Sequence, residues 1–257
     1  MRQTANLISA IKPVGVLSLG DTQYYCGSLL AFNQSYDLSW GQFKSLTYPA
    51  VGNHEYLTSG GLGCDITNTG AAGYFAYFGT RAGLPSQGYY SYDLGAWHIV
   101  VLNSSCSQAG GCSTSSPQYK WLAQDLAAHP NRCTMAYYHI PLYSSGGRAS
   151  INTKPLYQLL YDNNADLVVT GHDHTYERFA PQDANGTLDT GRGIPEFVVG
   201  TGGANHTSLA SLVPNSVVFN QDTYGVLKLS LHSGSYDWQF VPEPGKTFTD
   251  SGTSNCH

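Results

Sequence analysis

Four short polar clusters in this 257-residue chain carry side chains able to hold a cation: Asp21, Asn53, His139, and the pair His172 and His174. Asp21 offers two carboxylate oxygens able to bridge two cations, Asn53 an amide oxygen, and each histidine a ring nitrogen, which together make a mixed oxygen and nitrogen donor set. His172 and His174 are two residues apart, and in extended chain such residues point to the same side, so both imidazoles can face one centre. Each cluster alone has a plainer reading. A single His-x-His is a weak signal, Asp21 and Asn53 beside glycine suit turns, and His139 suits a half-buried histidine satisfied by its neighbours. Their recurrence at four equivalent places favours the metal reading.

What precedes each cluster is the same kind of element. Residues 14–19 run into Gly20-Asp21, 48–51 into Gly52-Asn53-His54-Glu55, 134–138 into His139, and 167–170 into Gly171-His172-Asp173-His174, each a short apolar run that stops abruptly. Helices are predicted over 2–12, 27–46, 116–129 and 154–163, with Ser116-Pro117 as an N-terminal signal and Leu7, Ile8 and Ile11 on one face of the first. Alternation of this kind predicts a largely parallel central sheet covered by helices, with ligands beyond the carboxyl ends of its strands. Residues 73–78, 88–94, 96–103, 196–200 and 224–231 are Tyr-rich or β-branched and predict a second, mixed or antiparallel sheet. Nothing separates two cores, so residues 1–257 read as a single domain without internal repeats.

Charged residues make up only 11% of the chain, while 29 Gly and 19 Tyr with many Ser, Thr and Asn supply an uncharged, hydroxyl-rich surface. The net charge of -5 provides no basic face, which argues against nucleic acid and anionic membranes as partners. No run approaches the roughly 20 apolar residues of a membrane span, and residues 1–13 lack the charged start and apolar core of a signal peptide. The six cysteines lack the short paired spacing of a zinc ribbon, so disulfides and an oxidising location, secreted, extracellular or periplasmic, are expected. Cys106 and Cys112 flank a loop flexible enough to close on itself, and the other pairings stay open.

Three motifs stand in order along most of the chain: Gly20-Asp21-Thr22-Gln23-Tyr24, Gly52-Asn53-His54-Glu55, and Gly171-His172-Asp173-His174-Thr175-Tyr176-Glu177-Arg178. Through them the chain, from Val16 to about Gly203, resembles the calcineurin-like metallophosphoesterases, and within these the purple-acid-phosphatase-like branch. The resemblance implies an α/β (α+β) fold: a four-layer αββα sandwich of two mixed sheets flanked by helices, with two metal ions at the sheet edges. It implies that Asp21 bridges both ions, that Tyr24 and His174 bind the first, and that Asn53, His139 and His172 bind the second. A phenolate from Tyr24 would suit ferric iron beside zinc or manganese, whereas an aromatic packed behind the loop is its structural alternative.

The implied reaction is hydrolysis of small phosphate esters. A pair of cations lowers the pKa of a bound water and stabilises the charge that develops as hydroxide attacks phosphorus, and His54 protonates the departing alcohol. Substrate contacts are expected from Asn53 and His54, and from His206, which follows the flexible Gly200-Thr201-Gly202-Gly203 loop. His98, His129, His232 and His257 read as structural or exposed, and Glu177 with Arg178 as a local ion pair holding the loop.

The resemblance also places an Asp-bearing strand ahead of Gly20-Asp21, and residues 1–20 contain no Asp, Glu or His. The domain is therefore expected to be N-terminally incomplete, with one metal ligand and one central strand missing and Cys26 deprived of an upstream partner. Competing expectations are a natural variant that uses one metal or a substitute ligand such as Glu55 or Asp65, and a degenerate, non-catalytic module that holds phosphate or sugar. Intact downstream motifs favour an active enzyme with an incomplete start.

Overall fold

Short β-branched and aromatic runs need neighbours to satisfy their backbone. In the computed structural model, which describes residues 1–130 and 133–257, they find them in three sheets. β1 (Val16–Leu19) and β2 (Thr47–Ala50) pair in parallel, with Leu17 opposite Tyr48 and Leu19 opposite Ala50. The largest sheet has seven strands: β3 (Tyr90–Leu94), β4 (Trp97–Val101), β5 (Cys133–Tyr137), β6 (Leu167–Thr170), β7 (Tyr176–Phe179), β8 (Glu196–Val199) and β9 (Ser216–Asn220), in the order β3-β4-β5-β6-β8-β7-β9. Its centre, β4-β5-β6-β8, is parallel, and β3, β7 and β9 make it mixed. β10 (Gly225–Leu231), β11 (Ser235–Pro242) and β12 (Ser251–Asn255) form an antiparallel third sheet.

The period of two along the strands divides the interior into layers. Val100, Ala136 and Val168 face the helices α3 (Pro117–Ala128) and α4 (Lys154–Asp162), packing on Leu122, Leu126, Leu156 and Leu160. The alternate residues Ile99, Val101, Met135 and Val169 face the smaller sheets, against Leu17, Leu19, Tyr236 and Phe240. On the far side of those sheets α1 (Arg2–Ile11) sets Ala5 and Ile8 against Val16, Phe43 and Val226. These are the expected αββα layers.

Several elements differ from the sequence reading. The four cluster-bearing strands do not share one sheet: β1 and β2 stand in the small sheet, and β5 and β6 in the large one. Residues 73–78, predicted as a strand, lie in a helix, α2 (Ala72–Phe78). Its Tyr74, Phe75, Tyr77 and Phe78 are buried among Phe32, Tyr36 and Val51, so the run is apolar all round and its periodicity is mute. The long helix expected over 27–46 is broken into a turn at Leu29–Ala31, a wider turn at Phe32–Tyr36 and a 3-10 segment at Trp40–Leu46. Ser39, at φ -138° and ψ -81°, is where the helical path is lost. β7, β9, β11 and β12 were not anticipated; β12, Ser-Gly-Thr-Ser-Asn, carries no apolar alternation to announce it.

The cysteines all pair, as Cys26–Cys64, Cys106–Cys112 and Cys133–Cys256. Cys26 thus has its partner downstream, contrary to expectation. No helix among the described residues is long and apolar enough to cross a membrane. Among these residues β1 pairs only with β2, and β10 only with β11. Both strands line an apolar slot of about 790 Å³, floored by Tyr92, Ile99, Met135 and Val169 and ending at Asp21, Tyr24, His172 and His174.

Candidate metal centre

The strands stop where the backbone must turn sharply. Gly20 has φ +87°, and a Cβ there would stand 2.7 Å from the His139 ring and 2.8 Å from Gly52, so only glycine lets these loops meet. Asp21 (φ 48°) and His172 (φ 67°) adopt the same left-handed region although they carry side chains, a strain that recurs at functional sites. Glu55 holds the first two loops together from beneath. Fully buried, its Oε2 accepts the backbone N–H of Asp21 (2.9 Å) and Gly52 (2.8 Å), and its Oε1 accepts the Thr22 N–H (2.7 Å) and hydroxyl (2.8 Å).

The donor atoms converge in two groups. His139 Nε2 lies 3.0 Å from Asp21 Oδ2, 3.0 Å from Asn53 Oδ1 and 3.0 Å from His172 Nδ1. On the other side Tyr24 Oη lies 3.1 Å from His174 Nε2 and donates to Asp21 Oδ2 at 3.4 Å. Asp21 Oδ2 belongs to both groups. The other ring nitrogens are tied to carbonyls: His139 Nδ1–H donates to Leu19 (2.8 Å) and His174 Nδ1–H to Asn205 (2.6 Å). That arrangement fixes the tautomer which aims the Nε2 lone pair inward, as histidine ligands require.

The chemistry of the first group tests whether a cation fits. With its proton on Nδ1, neutral His139 points a lone pair at a carboxylate oxygen and an amide oxygen, neither of which can donate. Only a positive species between them removes the repulsion. Asp21, His139 and His172 place one ligand atom each within 4.8 Å of one another, close enough to hold a metal ion. A proton serves in its place: burial lowers the His139 pKa, but the Asp21 carboxylate, with the Leu19 carbonyl and Glu55, raises it overall. Burial likewise raises Asp21, yet His139 and the His54 N–H bring it down to about 2. Burial, with the charge of His139, pushes His172 down to about 4, and burial also lowers His174. Burial, reinforced by Asp21 and Glu55, raises the Tyr24 phenol, so a phenolate there needs a cation beside it.

His54 stands next to both groups without belonging to either. Its Nε2 is 3.9 Å from Asp21 Oδ2, its Nδ1–H donates to the Tyr25 carbonyl at 2.6 Å, and its ring is flanked by Tyr24 and Tyr25 at 4.6 and 4.8 Å.

Other expectations are corrected. Neither proposed substitute ligand reaches the centre: Glu55 spends its oxygens on the loop backbone, and exposed Asp65 accepts from Thr67 (2.8 and 2.7 Å). His206 does not present its ring nitrogens to a substrate. It stacks on Tyr224, its Nδ1–H donates to the His174 carbonyl at 3.2 Å, and its Nε2 is buried. Glu177 and Arg178 do not pair with each other; Glu177 accepts from Ser145 and Ser216, and Arg178 binds Asp250 (2.7 and 3.0 Å). His98 is buried between Asp93 and Asp125, and His129, His232 and His257 lie apart from the centre, as expected. The sequence reading passed over Asp173, the middle residue of the His-x-His, which is fully buried and binds Arg148. An acid set between two candidate ligands, just after the apolar run 167–170, was the available signal.

Residues 2–176 match the family described as calcineurin-like phosphoesterase. Among curated proteins the chain is similar to three from Arabidopsis thaliana: purple acid phosphatase 15 (34% identical over 40% of this chain and 20% of that protein), purple acid phosphatase 23 (30%, over 64% and 37%) and purple acid phosphatase 18 (26%, over 77% and 48%). The matches therefore span less than half the length of these relatives. Among solved structures, a purple acid phosphatase from yellow lupin (Lupinus luteus) seeds superposes with a TM-score of 0.74 at 21% identity, covering 99% of this chain and 48% of that one. The anchor in the inner membrane complex of Plasmodium superposes at 0.66 and 15% identity, covering 100% and 84%. At such identities the structural likeness concerns the fold.

Proposed function

Because the chain belongs to the calcineurin-like phosphoesterase family, we propose that its strand-end donors hold two metal ions and that it hydrolyses small phosphate esters. The observation that carries this is the pair of donor groups joined at Asp21 Oδ2. Asn53, His139 and His172 would hold one ion, Tyr24 and His174 the other, and Asp21 would bridge them, with iron beside zinc or manganese fitting a phenolate donor. Bound there, the ions would supply Lewis acidity and an activated water. The chain's own residues do the rest: Asn53 and His54 contact the ester, and His54, held through Nδ1–H by the Tyr25 carbonyl, gives the Nε2 proton of its imidazolium form to the departing alkoxide and is left as the neutral imidazole. The three disulfides fit an oxidising compartment and secretion.

The slot beside β1 supports a further part of this reading. Adjacent strands stand about 4.8 Å apart, and one more strand between β1 and β10 would satisfy two free edges at once. Such a strand would end beside Asp21 and Tyr24, where a second carboxylate would complete the Tyr24 and His174 group. A non-catalytic phosphate-binding module is the second reading, favoured by the single carboxylate that serves that group. Hydrolysis of p-nitrophenyl phosphate, followed as iron, zinc or manganese is added back to chelated protein, separates the two. Metal-dependent release of nitrophenol is expected; metal uptake with phosphate binding and no turnover would leave the binding module.

A further inference from the structure

The ring of His54 is aimed by one polar contact. Its backbone is secured on the side of the donor groups, where the N–H donates to Asp21 Oδ1 at 2.8 Å. Among the described residues the imidazole itself makes a single hydrogen bond, from Nδ1–H to the Tyr25 carbonyl at 2.6 Å. Rotation about the side-chain bonds would swing Nε2 off its course, so that nitrogen is only as well directed as the Tyr25 peptide is held.

What holds this peptide lies outside the donor groups. The Tyr25 N–H donates to the Leu62 carbonyl at 3.2 Å, and the Gly27 N–H donates to the His54 carbonyl, also at 3.2 Å. Between the two, fully buried Cys26 is bonded to Cys64. Gly60 and Gly61 lie directly on the Tyr25 side chain: a Cβ on Gly60 would stand 2.7 Å from its ring, and one on Gly61 2.8 Å from its Cβ. The Tyr25 ring meets the His54 ring edge-on, with centroids 4.8 Å apart. The 60–64 loop has little to steady it from within, since it belongs to no helix or strand and leaves the Leu62 side chain 91% exposed. Such a loop can fix a neighbour only when it is itself tied, and the disulfide ties it at the residue after Tyr25.

We infer that the Cys26–Cys64 disulfide and the 60–64 loop position His54 for proton transfer, by holding the Tyr25 carbonyl that directs its ring. This role rests on the phosphoesterase reading, in which His54 protonates the leaving oxygen, and adds what keeps that histidine aimed. Both cysteines are positioning residues that act through Tyr25. A disulfide spanning 38 residues also stabilises the fold as a whole. A positioning role differs from that general one because its loss falls on one chemical step, and falls hardest where the departing alkoxide is most basic.

The test compares metal-loaded parent, Cys26→Ser/Cys64→Ser and Gly61→Ala, each with His54 present and with His54→Ala. Gly61→Ala lifts the loop off Tyr25 with the disulfide intact, so it decides the matter if the cysteine variant does not fold. Kinetics give KM and kcat for p-nitrophenyl, phenyl and glycerol phosphate. The cysteine variant is expected to lose about tenfold or more in kcat on glycerol phosphate and to stay within about twofold of the parent on p-nitrophenyl phosphate. Metal content and affinity for inorganic phosphate should match the parent's. Gly61→Ala should show the same pattern to a smaller extent. With His54→Ala neither change should cost anything more, because no ring remains to be aimed. Parental kcat on glycerol phosphate, a loss equal on all three esters, or the same loss in the absence of His54 overturns the inference. Proton–nitrogen NMR spectra of the zinc-loaded proteins give a readout independent of turnover: the His54 Nδ1–H signal should broaden by solvent exchange in both loop variants, while those of His139 and His174 persist. A parent that turns over no ester defeats the phosphoesterase reading alone, and the spectra still decide the role of the loop, since a His54 signal as sharp as the parent's in both variants overturns it.

Discussion

Asp21 Oδ2 is the atom on which the site turns, since it stands 3.0 Å from His139 Nε2 and 3.4 Å from Tyr24 Oη. His54 differs from its neighbours in keeping its ring off that carboxylate, with Nε2 at 3.9 Å, while its backbone N–H donates to Asp21 Oδ1 at 2.8 Å and its Nδ1–H is held by the Tyr25 carbonyl. His54→Ala is therefore expected to keep the parent's metal content and to lose about 10²- to 10⁴-fold in turnover, with the larger loss on esters of poor leaving groups. Metal analysis beside a leaving-group series checks this, and a turnover equal to the parent's would refute the acid role. At this scale the sequence was informative where residue type determines chemistry: Asp21, Asn53, His139, His172 and His174 come together as their donors required. It misjudged residues whose role depends on what lies beneath them. Glu55 looked like a spare ligand and is a backbone clamp, and His206 looked like a pocket residue and supports the His174 carbonyl.

At the scale of elements, the clusters lie at strand ends because loop contacts fix each end. Glu55 joins the loop after β1 to the loop after β2 through four accepted hydrogen bonds. Glu55→Gln keeps the shape but puts a donor where backbone N–H groups point, and is expected to cost about 2–4 kcal/mol and to weaken metal binding. Urea unfolding and metal titration read both effects, and a loss in neither would remove Glu55 from this role. A second buried acid, Glu196 on β8, accepts from Thr170 on β6, and burial pushes its pKa up to about 8. The folded state then holds a proton that the unfolded chain releases near the ordinary 4.5, so stability falls as pH rises through this window and levels above about 8. Glu196→Gln is expected to flatten that part of the profile in melting experiments between pH 5 and 9; an unaltered slope would contradict it. Helix runs are legible where a start signal or a one-faced period marks them, as in α3 and α4, and illegible where the residues are apolar on every face, as in α2, or, for a strand, polar throughout, as in β12.

At the scale of the molecule, Asp250 ties the third sheet to the large one: it accepts from Tyr176 (2.7 Å) and Arg178 (2.7 Å) of β7 and from Trp238 (3.2 Å) of β11. The layered architecture was legible through the family resemblance that the three motifs carry, alternation alone giving a helix-covered parallel sheet and a second sheet, but the division of the cluster-bearing strands between two sheets was not, because apolar runs do not specify their partners. The slot between β1 and β10 belongs to this scale too. Supplying an extended segment of alternating apolar residues, with an Asp at the end nearest Asp21, is expected to raise both metal affinity and melting temperature; a segment that binds without raising either would contradict its place in the centre. The account as a whole depends on cations occupying the two donor groups. Anomalous diffraction at the iron and zinc edges, from crystals grown with both metals, is predicted to show one peak among Asp21, Asn53, His139 and His172 and another among Asp21, Tyr24 and His174. Crystals with saturating metal and no peak within coordination distance of Asp21 would contradict it.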